Sequence, residues 1–187
     1  LWHPWDRGRP AMYRLRIKIA GPDGQPVDEV ILRTGICATR REGWRFNVNG
    51  RDLFIRGLNW VPADCFPGRI RADHYARLLQ QVRASGANLV RVWGGGLREK
   101  QSFYDLCDEL GLLVWQEFPF ACMFLGSYPQ ERAYLSRVEA ECSAIVRRLR
   151  GHPSLAVWCG GNEFSRRHNR PLLTTLTAVV KQHDSER

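Results

Sequence analysis

Asn162 and Glu163 stand directly after the run AVWCGG, residues 156–161. A carboxylate delivered where an apolar strand breaks is placed for proton transfer rather than for packing. Three more apolar runs end in the same way, in NWVPAD (59–64), RVWGGG (91–96) and WQEF (115–118). The endings gather Trp60, Asp64, Trp93, Arg91, Glu117, Asn162 and Glu163. Indole rings stack on the apolar face of a pyranose, and amides and carboxylates take its hydroxyls, so this set suits a sugar. Cleaving a glycosidic bond needs two carboxyl groups flanking it, one of them protonated to release the leaving group. Such an acid keeps its proton near neutral pH only if it is partly desolvated or close to a second carboxylate. Glu163 is the candidate.

Each residue has a plainer reading. Glu163 could be a loop or helix-start carboxylate. Glu117 could be the acid instead, although a carboxylate at a strand end is more often satisfied by a neighbouring arginine. Asp108 and Glu109 lie on a helical stretch and are expected to face solvent. Trp60 and Trp93 could be core aromatics, and Arg91 a structural ion-pair partner. GGGLREK lacks the G-x-G-x-x-G spacing and the acidic partner of a dinucleotide site.

The elements that position these residues follow from periodicity. Residues 11–56 read as β structure. In MYRLRIKIA, Tyr13, Leu15, Ile17 and Ile19 alternate with Arg14, Arg16 and Lys18, the period of a half-buried strand. GPDGQP punctuates a turn, and Asn49-Gly50 is a hairpin signal. After Gly57 the period becomes helical. DHYARLLQQVRASG places Tyr75, Leu78, Leu79 and Val82 on one face, with Asp73 as N-cap and Gly86 as stop. NLVRVWGGG, LLVWQEFPF and SLAVWCGG are apolar strands. They alternate with helices at SFYDLCDELG, at 131–150 and at PLLTTLTAVV, where Pro171 sits in the first turn. From residue 54 the order is β-α-β-α-β-α-β-α, which predicts parallel strands joined by right-handed crossovers. A doubly wound sheet and an eight-fold barrel both fit. In either, ligands bind at the C-terminal ends of the strands.

Composition sets the outer bounds. The 187 residues carry 28 Lys plus Arg against 19 Asp plus Glu, a net charge of +9. The arginines are scattered and not interleaved with aromatics, so no nucleic-acid partner is expected. No apolar run approaches the length of about 18 residues that crosses a bilayer. The six cysteines show no C-x-x-C pair or metal-ligand spacing, and several lie in apolar runs as small buried hydrophobes. No metal or cofactor is expected, and a reduced, cytoplasmic setting is the default.

The stretches GRDLFIRGLNWVPAD, NLVRVWGGG, FYDLCDELGLLVWQEFPFAC and HPSLAVWCGGNE together resemble glycoside hydrolase family 2, most closely its β-mannosidase branch. The resemblance implies an α/β fold: the first half of a TIM (β/α)8 barrel over 43–187, preceded over 1–42 by the last strands of an immunoglobulin-like antiparallel β-sandwich domain. It also implies a retaining exo-glycosidase acting on terminal β-D-mannosyl residues of oligosaccharides or glycoconjugates. Glu163 then matches the general acid/base, and Asn162 the amide that holds the sugar's 2-hydroxyl. Trp93 matches an aromatic wall of the terminal-sugar subsite, and Arg91 the strand-two arginine near the nucleophile. Trp60 and Asp64 align with the loop after strand one that lines the pocket.

This sequence departs from the family pattern at three places. Gly161 stands where Asn or Ser is usual, Glu117 stands where the β-mannosidases have Asp, and FACMFLGSYP runs a few residues longer than expected. The family's nucleophile is a glutamate on strand seven, and the carboxylates after Glu163 are only Asp184 and Glu186. An eight-stranded barrel takes about 250 residues, so the expectation is a half barrel with its nucleophile elsewhere. Such a chain would be inactive alone. The alternatives are a non-catalytic polypeptide with weak sugar binding, or the β-galactosidase or β-glucuronidase specificity of the same family.

Overall fold

A computed structural model describes residues 1–187. Strands β1 (Tyr13–Ala20) and β2 (Pro26–Thr34) form a two-stranded antiparallel hairpin with Leu15 opposite Leu32 and Ile17 opposite Val30. The alternation is as the sequence predicts, but its consequence is not. Every residue of β1 is exposed, the apolar ones included, because no second layer of this chain packs on that face. The opposite face carries ion pairs from Arg16 and Lys18 to Glu29, at 3.1 and 3.4 Å.

Strands β3 (Thr39–Glu42), β4 (Arg45–Val48) and β5 (Arg51–Leu53) make a three-stranded antiparallel sheet. Between β4 and β5, Asn49 and Gly50 both take positive φ, 52° and 82°, as the favoured two-residue hairpin turn demands. The β3–β4 hairpin straddles the boundary expected between residues 42 and 43. Phe46, Val48 and Leu53 pack with Trp2 against Leu89, Leu113, Ala156 and Val157. This small sheet therefore closes off the ends where the parallel strands begin.

Those strands are β6 (Gly57–Trp60), β7 (Leu89–Val92), β8 (Leu113–Glu117) and β9 (Leu155–Cys159), all parallel and in the order β6-β7-β8-β9. Helices α1 (Ala72–Ala84), α2 (Gln101–Leu110), α3 (Arg132–Leu149) and α4 (Arg170–His183) follow them in turn. Successive strands always add on the same side, whereas a doubly wound sheet reverses direction part-way. Trp60, Val90, Val92, Val114 and Leu155 bury one face of the sheet against Tyr75, Leu79, Phe103, Cys107 and Leu149. Phe118, Val138, Cys142, Val146, Leu172 and Leu176 continue that layer towards α4.

Two local expectations change. Asp73 lies inside the first turn of α1, and the capping position belongs to Arg71, which makes no side-chain cap. Asp108 does not face solvent. It is 2% exposed, one turn after Tyr104 on the buried face of α2, where it accepts from Ser154 N–H at 3.1 Å and sits 2.6 Å from His152 Nδ1. Glu109 is exposed and pairs with Arg33 at 2.5 Å. Gly111 ends α2 at φ 69°. A Cβ there would lie 2.6 Å from the backbone nitrogen of Trp5, so the N-terminal segment docks where only glycine fits. The six cysteines are all free, with Cys107 and Cys142 buried but Cys65 and Cys122 exposed.

Candidate active site

The register of the parallel sheet assembles the site. Asn59 is the strand partner of Arg91, Arg91 of Trp115, and Glu117 of Cys159. Because side chains alternate between faces, Asn59, Arg91 and Glu117 point away from the helix-covered face. Beyond β8 and β9 the ladder resumes in one bridge. Asn162 N–H donates to Phe120 O at 2.8 Å, and Cys122 N–H to Asn162 O at 2.9 Å. That bridge brings Asn162 up beside Arg91.

Arg91 uses its fork fully. Nε and Nη2 donate to Glu117 Oε1 at 2.9 and 2.7 Å, Nη1 donates to Asn59 Oδ1 at 3.0 Å, and Nη2 also reaches Asn162 Oδ1 at 2.6 Å. The Glu117 side chain is 1% exposed, and its second oxygen accepts the Gly94 N–H at 2.8 Å. Glu117 thus receives a guanidinium and a main-chain amide and has no open approach for a substrate. The reading of Glu117 as the acid gives way to the arginine-paired alternative.

Asn162 is oriented by the same contact. With Oδ1 taken by Arg91, its Nδ2 is the donor end; one of its two hydrogens reaches Cys122 Sγ at 3.8 Å and the other is left for a ligand. Glu163 follows at φ 50°, and Cys122 faces it at φ 59°. Non-glycine residues pay about 1–2 kcal/mol for this left-handed backbone, and such strain gathers at functional sites. Cys122 Sγ lies 3.9 Å from Glu163 Oε2. The Glu163 side chain is exposed, so the desolvation expected for a proton-holding acid is not provided by the residues of this chain. No second carboxylate contacts it either.

The glycines after β7 are there for space. A Cβ on Gly94 would sit 2.5 Å from Phe118 O, and one on Gly95 2.0 Å from the Trp93 ring. The half-buried Trp93 indole thus packs directly against Gly95. Gly161, at φ 141°, approaches Phe120 O so closely that a Cβ would come within 2.3 Å. That contact explains why this sequence carries glycine just before Asn162.

Trp60 and Asp64 are not brought to this cluster. Trp60 is one residue out of phase with Asn59 and therefore faces the helices. It is 7% exposed, its ring 4.9 Å from that of Phe103, and its Nε1 donates to Glu99 Oε1 at 2.9 Å. Tyr75 donates to the other Glu99 oxygen, its phenol pushed up by burial and by that bond. Asp64 Oδ1 accepts Phe66 N–H at 2.8 Å, with Arg69 3.9 Å from Oδ2. The main-chain bond, then Arg69 and Cys65, hold this carboxyl below its usual range. Asp64 therefore shapes its loop.

Sequence reasoning missed Asn59 and Cys122 and undervalued Glu117. A polar residue in the phase of Arg91 was the available signal for Asn59. Elsewhere, Asp105, Asp108 and His152 place ligand atoms within 4.8 Å of one another. Gln101 Nε2 lies between Asp105 Oδ1 (3.1 Å) and His152 Nε2 (2.8 Å), so these groups form a hydrogen-bonded chain and are spent on each other.

Residues 41–187 match the family profile described as "Glycosyl hydrolases family 2, TIM barrel domain". The chain is 37% identical to β-mannosidase of Mus musculus over 171 residues, covering 87% of this chain and 19% of that protein. It is 46% identical to β-mannosidase of Capra hircus over 118 residues, 63% of this chain and 13% of that protein. The crystal structure of β-D-mannosidase from Dictyoglomus thermophilum superposes with a TM-score of 0.88 at 34% identity, over 100% of this chain and 25% of that one. This chain thus spans a fifth or less of the length of these two curated relatives.

Proposed function

The chain belongs to the glycosyl hydrolases of family 2, and from that premise we propose that it forms part of a retaining exo-glycosidase that releases terminal β-D-mannosyl residues from oligosaccharides or glycoconjugates. The four βα units are read as the first half of a (β/α)8 barrel over 43–187. Residues 1–42, with the exposed β1–β2 hairpin, are read as the end of an immunoglobulin-like sandwich domain. The nucleophilic glutamate is assigned to sequence outside these residues.

The observation that carries this reading is the 2.6 Å contact between Arg91 and Asn162 beside Glu163. It leaves the amide nitrogen of Asn162 as a donor towards the sugar's 2-hydroxyl, a contact that gains strength in the transition state. In the first step the nucleophile attacks the anomeric carbon while Glu163 gives its proton to the departing oxygen. In the second, Glu163 takes a proton from water, which displaces the enzyme carboxylate from the same carbon. Two inversions give net retention. Trp93 offers its ring as the wall of the terminal-sugar subsite. Closure by sequence outside this chain would supply the desolvation that Glu163 lacks here.

The test is hydrolysis of 4-nitrophenyl β-D-mannoside by the intact polypeptide that carries these residues, beside the β-galactoside and β-glucuronide. Preference for the mannoside, with β-mannose as the first-formed anomer, is expected. Preference for either other glycoside would contradict the specificity, and first-formed α-mannose would contradict retention.

A further inference from the structure

Glu117 is the most deeply buried charged group on the polar side of the sheet, and the reaction sequence above gives it no role. Its side chain is 1% exposed and meets three donors: Arg91 Nε, Arg91 Nη2 and Gly94 N–H. Isolating a carboxylate from water is costly unless its hydrogen bonds are replaced, and here they are replaced by groups that reach the substrate side. Gly94 follows Trp93 directly. Arg91 passes from Glu117 to Asn162.

We infer that Glu117 is a positioning residue that fixes which end of the Asn162 amide faces the sugar, acting through Arg91. An asparagine amide can turn by 180°, exchanging its donor and acceptor ends. Only the orientation with Oδ1 on Arg91 leaves Nδ2 as the donor. The guanidinium holds it there only while its own plane is fixed, and that plane is set by Nε and Nη2 sharing Glu117 Oε1, with Asn59 Oδ1 on Nη1. Without the carboxylate, Arg91 keeps its charge but loses the partner that aims it, and the amide is free to turn. Glu117 touches neither the sugar nor the reacting bond, so its effect must travel through position 162. The inference rests on the proposed role of Asn162 at the 2-hydroxyl.

The experiment compares kcat/KM of the intact enzyme for a β-mannoside and for the matching 2-deoxy glycoside. Asn162→Ala should narrow the gap between the two substrates, because the contact it removes exists in only one of them. Glu117→Gln should narrow it in the same sense, costing about tenfold on the 2-hydroxy substrate, the scale of one hydrogen bond to a charged group, while changing the 2-deoxy substrate by less than about threefold. In the Asn162→Ala background, Glu117→Gln should then add little. A purely packing role would slow both substrates alike, and that outcome overturns the inference. If Glu117→Gln does not fold, Arg91→Lys provides the second arm: it keeps the charge beside Glu117 but lacks the fork, and must narrow the gap too. An unchanged gap in Arg91→Lys overturns the relay. If Asn162→Ala itself leaves the gap unchanged, the underlying assignment of Asn162 fails, and the relay with it. A gap narrowed by Asn162→Ala but not by Glu117→Gln sinks the relay alone.

Discussion

Arg91 and Asn162, 71 residues apart in the chain, meet at 2.6 Å because the bridge beyond β8 and β9 carries Asn162 within reach of the Arg91 guanidinium. The contact depends on Asn162 being the last residue of the ladder, held by Phe120 O and Cys122 N–H. It then depends on Arg91 standing on the face opposite the helices. The hydrogen-bonding geometry beside Glu163 is thus a property of the sheet register.

Gly161→Ala tests that register. The added Cβ would meet the Phe120 carbonyl at 2.3 Å from a backbone at φ 141°, and neither obstacle is a flexible side-chain end. The bridge between Ala121 and Asn162 should open, carrying Glu163 with it. Expected is a loss of kcat of at least about a hundredfold, the scale of a displacement of roughly 1 Å at a catalytic group. Wild-type kcat in the variant would contradict it.

Asp108→Ala should destabilise without touching the proposed sugar site. It orphans His152 Nδ1 and the Ser154 N–H, both buried, at about 1–3 kcal/mol each. The measurement is the unfolding midpoint in denaturant, alongside KM for the mannoside. A lower midpoint with unchanged KM is expected, whereas an unchanged midpoint would mean that the pair carries no stability.

Thiol reactivity should divide by exposure. Cys65 and Cys122 are exposed and should react first with a maleimide at pH 7. Burial pushes Cys37 up to about 11 and Cys142 up to about 12, so neither offers thiolate there. Modification at Cys122, 3.9 Å from Glu163 Oε2, should abolish turnover, and Cys122→Ala should survive the reagent. Fast labelling of Cys142 in the folded protein would contradict the packing of α3.

The raised thiols also set a pH window. A group whose folded pKa lies above its unfolded value stabilises fully below the unfolded value, and that stability is lost as pH rises towards the folded one. For Cys37 the window runs from 9.0 to about 11. Denaturation midpoints should fall across it, and the fall should be smaller in Cys37→Ala. An identical fall in that variant would assign the loss to other groups.

Much of this was legible in the sequence, for stated reasons. Period-2 and period-3.6 patterns located the strands and helices because burial imposes them. The Asn49-Gly50 turn was legible because few residues accept two positive φ values in succession. Trp60 was misplaced because being near a strand end does not reveal which face a side chain takes; its phase against Asn59 decides that. Asp108 was misread because a helical carboxylate is ordinarily solvated, and its partner His152 lies 44 residues away on another connection. Exposure of β1 was invisible to periodicity, which shows that a face is apolar and not what covers it. The Arg91 network needed the register, which only the assembled sheet provides.

The proposed function stands or falls on proton transfer by Glu163. Glu163→Ala in the intact enzyme, assayed on 2,4-dinitrophenyl β-mannoside with and without sodium azide, tests it most directly. That leaving group needs no acid, so the glycosyl-enzyme should still form and then stall for want of a base. Azide, which needs no deprotonation, should restore turnover and yield β-mannosyl azide. Turnover indifferent to azide, with mannose as the sole product, would contradict the claim.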